Sequence, residues 1–242
     1  MHRCFVNHFI GDNQSVVIDG EEAKHIGKVL RSRVGDQLEV CDGSKMVYLC
    51  TITKVSNGSV EATVDSAKED TREPQSEITV FQGLSKGTKM DLVIQKAVEL
   101  GAHAVVPVQM EFSVVKMIQE RGKQERWQRI AMEAAKQCKR SVIPKVLPAV
   151  DFSTALNMMS EMDQAFAAYE NETETPLKAV LNTKFRSCGF LIGPEGGFSI
   201  PEVEQARNAG IPTVSLGKRI LRTETASIAM LSIVMFYLGE MG

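Results

Sequence analysis

Two short segments hold residues whose types and spacing could do chemistry. The first is Ile192-Gly193-Pro194-Glu195-Gly196-Gly197-Phe198. The second is Leu216-Gly217-Lys218-Arg219-Ile220-Leu221-Arg222-Thr223-Glu224-Thr225-Ala226. Glycines in the first segment let a ligand approach the backbone, since no Cβ stands in the way. Pro194 stiffens the turn, and Gly196-Gly197 permits positive φ. The segment is neither a GxGxxG dinucleotide fingerprint nor a Walker loop ending in Gly-Lys-Ser/Thr, and a glycine-rich loop also serves as a plain tight turn. In the second segment, Lys218, Arg219 and Arg222 lead into a helix start. A Thr cap with Glu224 at the positive dipole end accounts for Thr223 and Glu224. It does not account for the basic cluster. Cations beside a helix N-terminus are locally unfavourable, so these serve an anionic partner or pair with Glu224.

The elements around these segments alternate strand and helix. From Ile78 onward the pattern predicts strands over 78–84, 104–110, 145–150, 164–169, 188–192 and 213–216. Helices are predicted over 89–100, 125–140, 151–159, 201–210 and 223–238. Asp151 is placed to cap its helix, and Pro201 and Gly210 bracket theirs. Such alternation implies an α/β fold with a parallel sheet covered on both faces. The two chemical segments then follow the fifth and sixth strands of this region, where open α/β sheets bind ligands. Residues 1–72 have another period. Short Val-, Ile- and Tyr-rich runs are punctuated by Gly or Asn, and Asn57-Gly58 between two of them is a hairpin signal. Closely spaced strands with one helix over 21–30 suggest a small barrel. Residues 66–76 are polar and charged and read as a linker. Domains are therefore expected over 1–72 and 73–242.

Composition narrows the function classes. The chain has 242 residues, 43% of them hydrophobic, enough for packed cores. Its 28 basic and 30 acidic side chains give a net charge of −2, which argues against a bulk-basic nucleic-acid binder. That average conceals two basic concentrations. Lys24, Lys28, Arg31 and Arg33, with His25 among them, have no acid between them. Residues 116–145 hold nine Lys or Arg against three Glu. Such helices are often only solvated faces, but two patches on separate domains suit phosphate tracking. The five cysteines form no CxxC pair, which fits a reducing cytosol and argues against zinc. No secretory signal opens the chain, and the apolar run 228–238 is too short for a bilayer. A cytoplasmic protein without a membrane partner is expected.

Taken in order, several blocks resemble the ribosomal RNA small subunit methyltransferase E family, of the SPOUT superfamily. They are Gly193 to Phe198, Leu216-Gly217, Arg219 to Ala226, Lys96-Ala97-Val98-Glu99-Leu100-Gly101, Arg126-Trp127 with Glu133-Ala134 and Gln137-Cys138-Lys139-Arg140, and His25 with Val29-Leu30-Arg31. Cys138 stands where Ser is expected more often. The resemblance spans nearly the whole chain. It implies methyl transfer from S-adenosylmethionine to N3 of a uridine in 16S rRNA, free or within the 30S subunit. It further implies a PUA-like N-terminal barrel that binds RNA, a C-terminal SPOUT domain with a deep trefoil knot, and a homodimer through that domain. No metal is required. The cofactor-contacting set carried by it is Leu84, Gly193, Glu195, Gly196, Leu216, Gly217, Ile220, Leu221 and Ala226. Arg222 is the leading catalytic candidate, with Glu224 to orient it or take the N3 proton. Lys24, His25, Arg31, Arg33, Arg140 and Arg219 are the RNA-binding candidates.

Two rival readings stand beside this one. One is a non-catalytic RNA-binding or ribosome-assembly protein on the same fold. The other is a nucleotide- or phosphate-binding α/β enzyme using the glycine loop.

Overall fold

The computed structural model describes residues 1–116, 122–181 and 184–241. Glu120 and Arg121 of the second basic stretch lie outside them. The chain divides into two compact units. One comprises Met1–Glu73 with Ala135–Ile143, and the other Pro74–Ala134 with Pro144–Gly242.

The first unit is a five-stranded sheet in the order β1-β3-β4-β5-β2. Its strands are β1 (His2–Phe5), β2 (Ser15–Asp19), β3 (Gln37–Cys41), β4 (Met46–Ser56) and β5 (Ser59–Glu69). β1 and β3 run parallel and the other pairs antiparallel. Asn57-Gly58 makes the hairpin between β4 and β5, with Gly58 at φ 101° and Ser56 opposite Ser59. Alternate residues such as Val16, Ile18, Val40, Cys50 and Ile52 fill one core.

Two expectations change in this unit. The helix expected over 21–30 is α1 (Gly20–Lys24) followed by a π-helical turn, His25–Val29. The widened turn closes with Leu30 N–H donating to His25 O at 3.0 Å, keeps Ala23 and Ile26 buried, and leaves Val29 and Leu30 exposed. The linker expected over 66–76 is strand only at its start, and two of its acids are buried. β5 continues to Glu69, and Asp70 and Glu73 are buried. Arg3 explains Asp70: the residue is 1% exposed, and its guanidinium donates to Asp70 at 3.2 Å and Glu39 at 2.9 Å. Arg140 explains Glu73, donating to it at 2.7 Å, while the Ser141 and Val142 N–H groups reach the same carboxylate. Polar composition indicates exposure only when the charges lack partners; these acids are buried because each is paired.

The second unit is a parallel sheet in the order β12-β10-β11-β6-β7-β8, with β9 also pairing β7. The strands are β6 (Glu77–Gly83), β7 (Ala104–Gln109), β8 (Lys145–Val146), β9 (Val150–Asp151), β10 (Gln164–Ala168), β11 (Ser187–Ile192) and β12 (Thr213–Val214). Helices are α2 (Lys89–Glu99), α3 (Gln124–Cys138, of which Ala135 onward belongs to the first unit), α4 (Phe152–Ser160), α5 (Leu177–Val180), α6 (Ile200–Asn208) and α7 (Thr223–Tyr237). One sheet face, with Phe81, Val106, Val108, Ala167 and Leu191, packs on Phe152, Leu156 and Met159 of α4 and Val203 and Ala206 of α6. The neighbour of Phe81, Gln82, points the other way and meets α7. The Asp151 side chain caps α4 by accepting from Thr154 N–H, and Ser199 with Glu202 forms a capping box on α6. Because the strands are parallel, their carboxyl ends and following loops gather on one edge.

Candidate cofactor site

A cavity of about 350 Å³ opens at that edge. It lies among the loops after β10, β11 and β12 and the first turn of α7, with Lys89 at its wall. Of the residues expected to hold a cofactor, Gly193, Glu195, Gly196, Leu216, Gly217, Ile220, Leu221 and Ala226 line it. Leu84 does not: it is fully buried, with its N–H donating to Val108 O. A residue just past a strand end can turn into the core instead of the cleft, and Leu84 does so.

The glycine loop owes its shape to close approach. Gly197 N–H donates to Pro194 O at 3.0 Å, and Gly197 sits at φ 71°. A Cβ on Gly197 would lie 1.9 Å from Glu170 Oε1, so a side chain there would displace that carboxylate as well as strain the positive φ. Phe198 anchors the far end, buried and edge-on to Tyr169 at 6.1 Å, with its N–H donating to Glu170 Oε1 at 3.3 Å. At the near end, a Cβ on Gly83 would lie 2.4 Å from Pro194 N, so β6 and the loop pack backbone to backbone.

Charge is arranged around the mouth. Glu195 Oε1 accepts from Lys89 Nζ at 3.0 Å and from Lys86 N–H at 3.2 Å. Burial would raise this carboxyl; those bonds outweigh it and hold Glu195 below the usual carboxylate range. Glu195 is therefore an ionised partner of Lys89. Arg222 is the extended N-cap residue of α7 and Arg219 is exposed on the loop before it; both line the cavity. Neither guanidinium pairs with an acid among the described residues. Both are thus available to an anionic partner.

Glu224 is not brought into this arrangement. It does not line the cavity, makes no ion pair with Arg222 among the described residues, and has Oε2 buried without a hydrogen-bond partner. An α-helix turns about 100° per residue, which carries position 224 away from Arg222. The expected Thr223 cap also differs. Arg222 is the N-cap, and the Thr223 hydroxyl donates to Gly193 O at 2.6 Å.

In the first unit, His25, Arg31 and Arg33 are exposed; His25 stacks on His2 at 5.2 Å and Arg31 has φ 55°. Lys24 is exposed and pairs with Glu21 at 2.7 Å. Arg140, expected among the RNA contacts, is buried against Glu73, so its guanidinium is committed to the protein. Lys136 pairs with Glu22, and Lys139 reaches Met1 O at 2.7 Å. Part of the second basic stretch is therefore internal bonding.

Sequence reasoning missed Gly83, Lys89, Tyr169, Glu170 and Ser215. Glu170 follows the carboxyl end of β10, so its position was a usable signal; Gly83 offered none. All five cysteines are free thiols. Burial pushes Cys41, Cys50 and Cys188 up to about 12, so these three are not thiolate nucleophiles. Among the described residues, no cluster of His, Cys, Asp or Glu is placed to hold a metal, and no helix is long and apolar enough to cross a membrane.

Known proteins resemble this chain in both sequence and fold. An RNA methyltransferase domain family matches residues 71–235, and an RNA methyltransferase PUA domain family matches residues 18–65. The chain is 37% identical over 227 residues to ribosomal RNA small subunit methyltransferase E of Bacillus subtilis, covering 90% of this chain and 89% of that one. It is similar to the solved ribosomal RNA small subunit methyltransferase E of Neisseria gonorrhoeae bound to S-adenosyl methionine. That match has 31% identity, coverage of 98% and 97%, and a TM-score of 0.88. A Legionella pneumophila methyltransferase solved in complex with the same cofactor matches at 29% identity and a TM-score of 0.87, covering 97% and 96%.

Proposed function

Because the chain belongs to the ribosomal RNA small subunit methyltransferase E family, we propose that it methylates N3 of a uridine in 16S rRNA, with S-adenosylmethionine as donor. The observation that carries this reading is the cavity itself. Both glycine-bearing loops line it, and an uncommitted Arg222 sits at its rim.

The residues present fit the cofactor. The volume of about 350 Å³ falls within the range usual for small-molecule clefts, about 300–1,000 Å³. Gly193, Gly196 and Gly217 offer backbone groups at close range, and Leu216, Ile220 and Leu221 supply an apolar wall for a purine. When bound, S-adenosylmethionine supplies an electrophilic methyl group on a sulfonium.

This chain's residues must align the reactants and stabilise charge on the pyrimidine. Loss of the uridine N3 proton spreads negative charge over O2, N3 and O4. The Arg222 guanidinium can donate to O2 or O4 and hold that charge where it develops. Arg219, beside it, suits an RNA phosphate. Lys24, His25, Arg31 and Arg33 suit phosphate contacts on the first unit, which we read as the RNA-binding domain. Ile233, Phe236 and Tyr237 of α7 are exposed apolar residues that support a homodimer through the second unit. The trefoil knot, the 30S subunit as a possible form of the substrate and a cytoplasmic location belong to the same reading.

Calorimetry with S-adenosylmethionine, followed by transfer of labelled methyl to 16S rRNA, tests it. Binding with transfer is expected. No binding of S-adenosylmethionine favours the non-catalytic rival. Stabilisation by nucleoside triphosphates but not by S-adenosylmethionine favours a nucleotide-binding enzyme.

A further inference from the structure

We propose that Gln82 is a positioning residue: its buried carboxamide, acting through the Thr223 hydroxyl, locks the glycine loop to the start of α7. It thereby sets the spacing between the two walls of the cofactor cavity. This rests on reading that cavity as the S-adenosylmethionine site.

Gln82 lies near the end of β6 and is 0% exposed. A leucine there would fill a similar volume on the strand face it shares with buried Val80, without any polar requirement. The amide is instead fully engaged. Nε2 donates to Gly83 O at 3.1 Å and to Thr223 Oγ1 at 2.8 Å, and Oε1 accepts from the Ser227 hydroxyl. Thr223 Oγ1, with its one proton, then donates to Gly193 O at 2.6 Å. The chain of donors therefore runs one way, from Gln82 to Thr223 to Gly193. Flipping the amide would set Oε1 against Gly83 O and break the chain, so its orientation is fixed by its partners. Thr223 and Ser227 are themselves buried. A buried network with every member satisfied is rigid, and removing one member leaves the others unpaired.

The network's position gives it a role beyond packing. Gly193 begins the glycine loop, and Thr223 directly follows Arg222. One hydrogen-bond chain thus places the backbone that would face the cofactor and the arginine that would face the base.

The test uses the full chain and calorimetry with S-adenosylmethionine and S-adenosylhomocysteine, well below each variant's melting temperature. Thr223→Val and Gln82→Leu should each weaken binding of both ligands about tenfold. Thr223→Ser, which keeps the hydroxyl, should bind like wild type. The double variant Gln82→Leu/Thr223→Val should also lose about tenfold rather than a hundredfold, since both changes break one chain. A purely structural role would lower the melting temperature and leave affinity intact. Unchanged affinity in folded single variants, or multiplied losses in the double, would overturn the proposal. If Gln82→Leu does not fold, the near-isosteric Thr223→Val against Thr223→Ser decides alone. Absence of binding by the wild type would instead sink the reading of the cavity, and the proposal with it.

Discussion

Gly83→Ala is the sharpest test of how the cavity is built. The added Cβ would stand 2.4 Å from Pro194 N, 2.6 Å from Pro194 Cδ and 2.8 Å from Gly193 C. Ordinary contact begins at 3.4 Å, so the loop must recede by about 1 Å. No flexible side chain can give way, because the obstructing atoms are loop backbone and a proline ring. Overpacking of this kind costs about 1–3 kcal/mol, and each kcal/mol lowers the melting temperature of a chain this size by about 2–4 °C. The effect on function should be larger, since a displacement of about 1 Å at a reacting centre can cost about 10²-fold in rate. Calorimetry, thermal melts and single-turnover methyl transfer on the same preparation would read affinity, stability and rate. Gly27→Ala is the control: its Cβ would meet only Val55 at 3.5 Å, an ordinary contact, and cofactor affinity should be retained. A Gly83→Ala protein with wild-type affinity and rate would refute the claim that close packing of β6 on the glycine loop shapes the site.

Three further outcomes follow from the same geometry. Arg222→Ala should reduce methyl transfer by about 10²-fold or more while leaving cofactor affinity within a few-fold, because the guanidinium is assigned to the base; wild-type turnover would remove it from the mechanism. Reversing charge at Arg31 and Arg33 should weaken RNA binding and flatten its dependence on salt; an unchanged salt slope would mean this surface does not track phosphates. Asp70 should give the first unit an acid-sensitive contribution. Burial would raise its carboxyl, but hydrogen bonds from Arg72 and the charge of Arg3 hold it below its ordinary 3.8. A depressed folded pKa means that the contribution is complete above the unfolded value and is lost as pH falls through the folded one. Melts between pH 5 and 2.5 should therefore decline more steeply for wild type than for Asp70→Asn; parallel declines would contradict this.

Much of the site was legible because its residues are close in sequence. Gly193 to Gly197 and Leu216 to Arg222 advertise themselves by glycine and charge, and strand–helix alternation says that loops after parallel strands meet on one edge. What depended on distant partners was not legible. Asp70 and Glu73 looked like linker because nothing near them in sequence indicates Arg3 or Arg140. Arg140 looked like an RNA contact for the same reason. Gly83 is an unremarkable end to an apolar strand until Pro194 is placed against it. The π-helical turn at His25–Val29 changes one hydrogen-bond register and leaves no local signature. Proximity in sequence suggests that Glu224 serves Arg222, yet the two form no ion pair among the described residues and Glu224 does not line the cavity.

The proposed reaction places a methyl group on N3 of a uridine in 16S rRNA. Nucleoside analysis of 16S rRNA from a strain lacking the gene, with and without the restored gene, tests it most directly. N3-methyluridine should disappear on deletion, return with the wild-type gene, and stay absent with Arg222→Ala. N3-methyluridine at the same level in the deletion strain would contradict it.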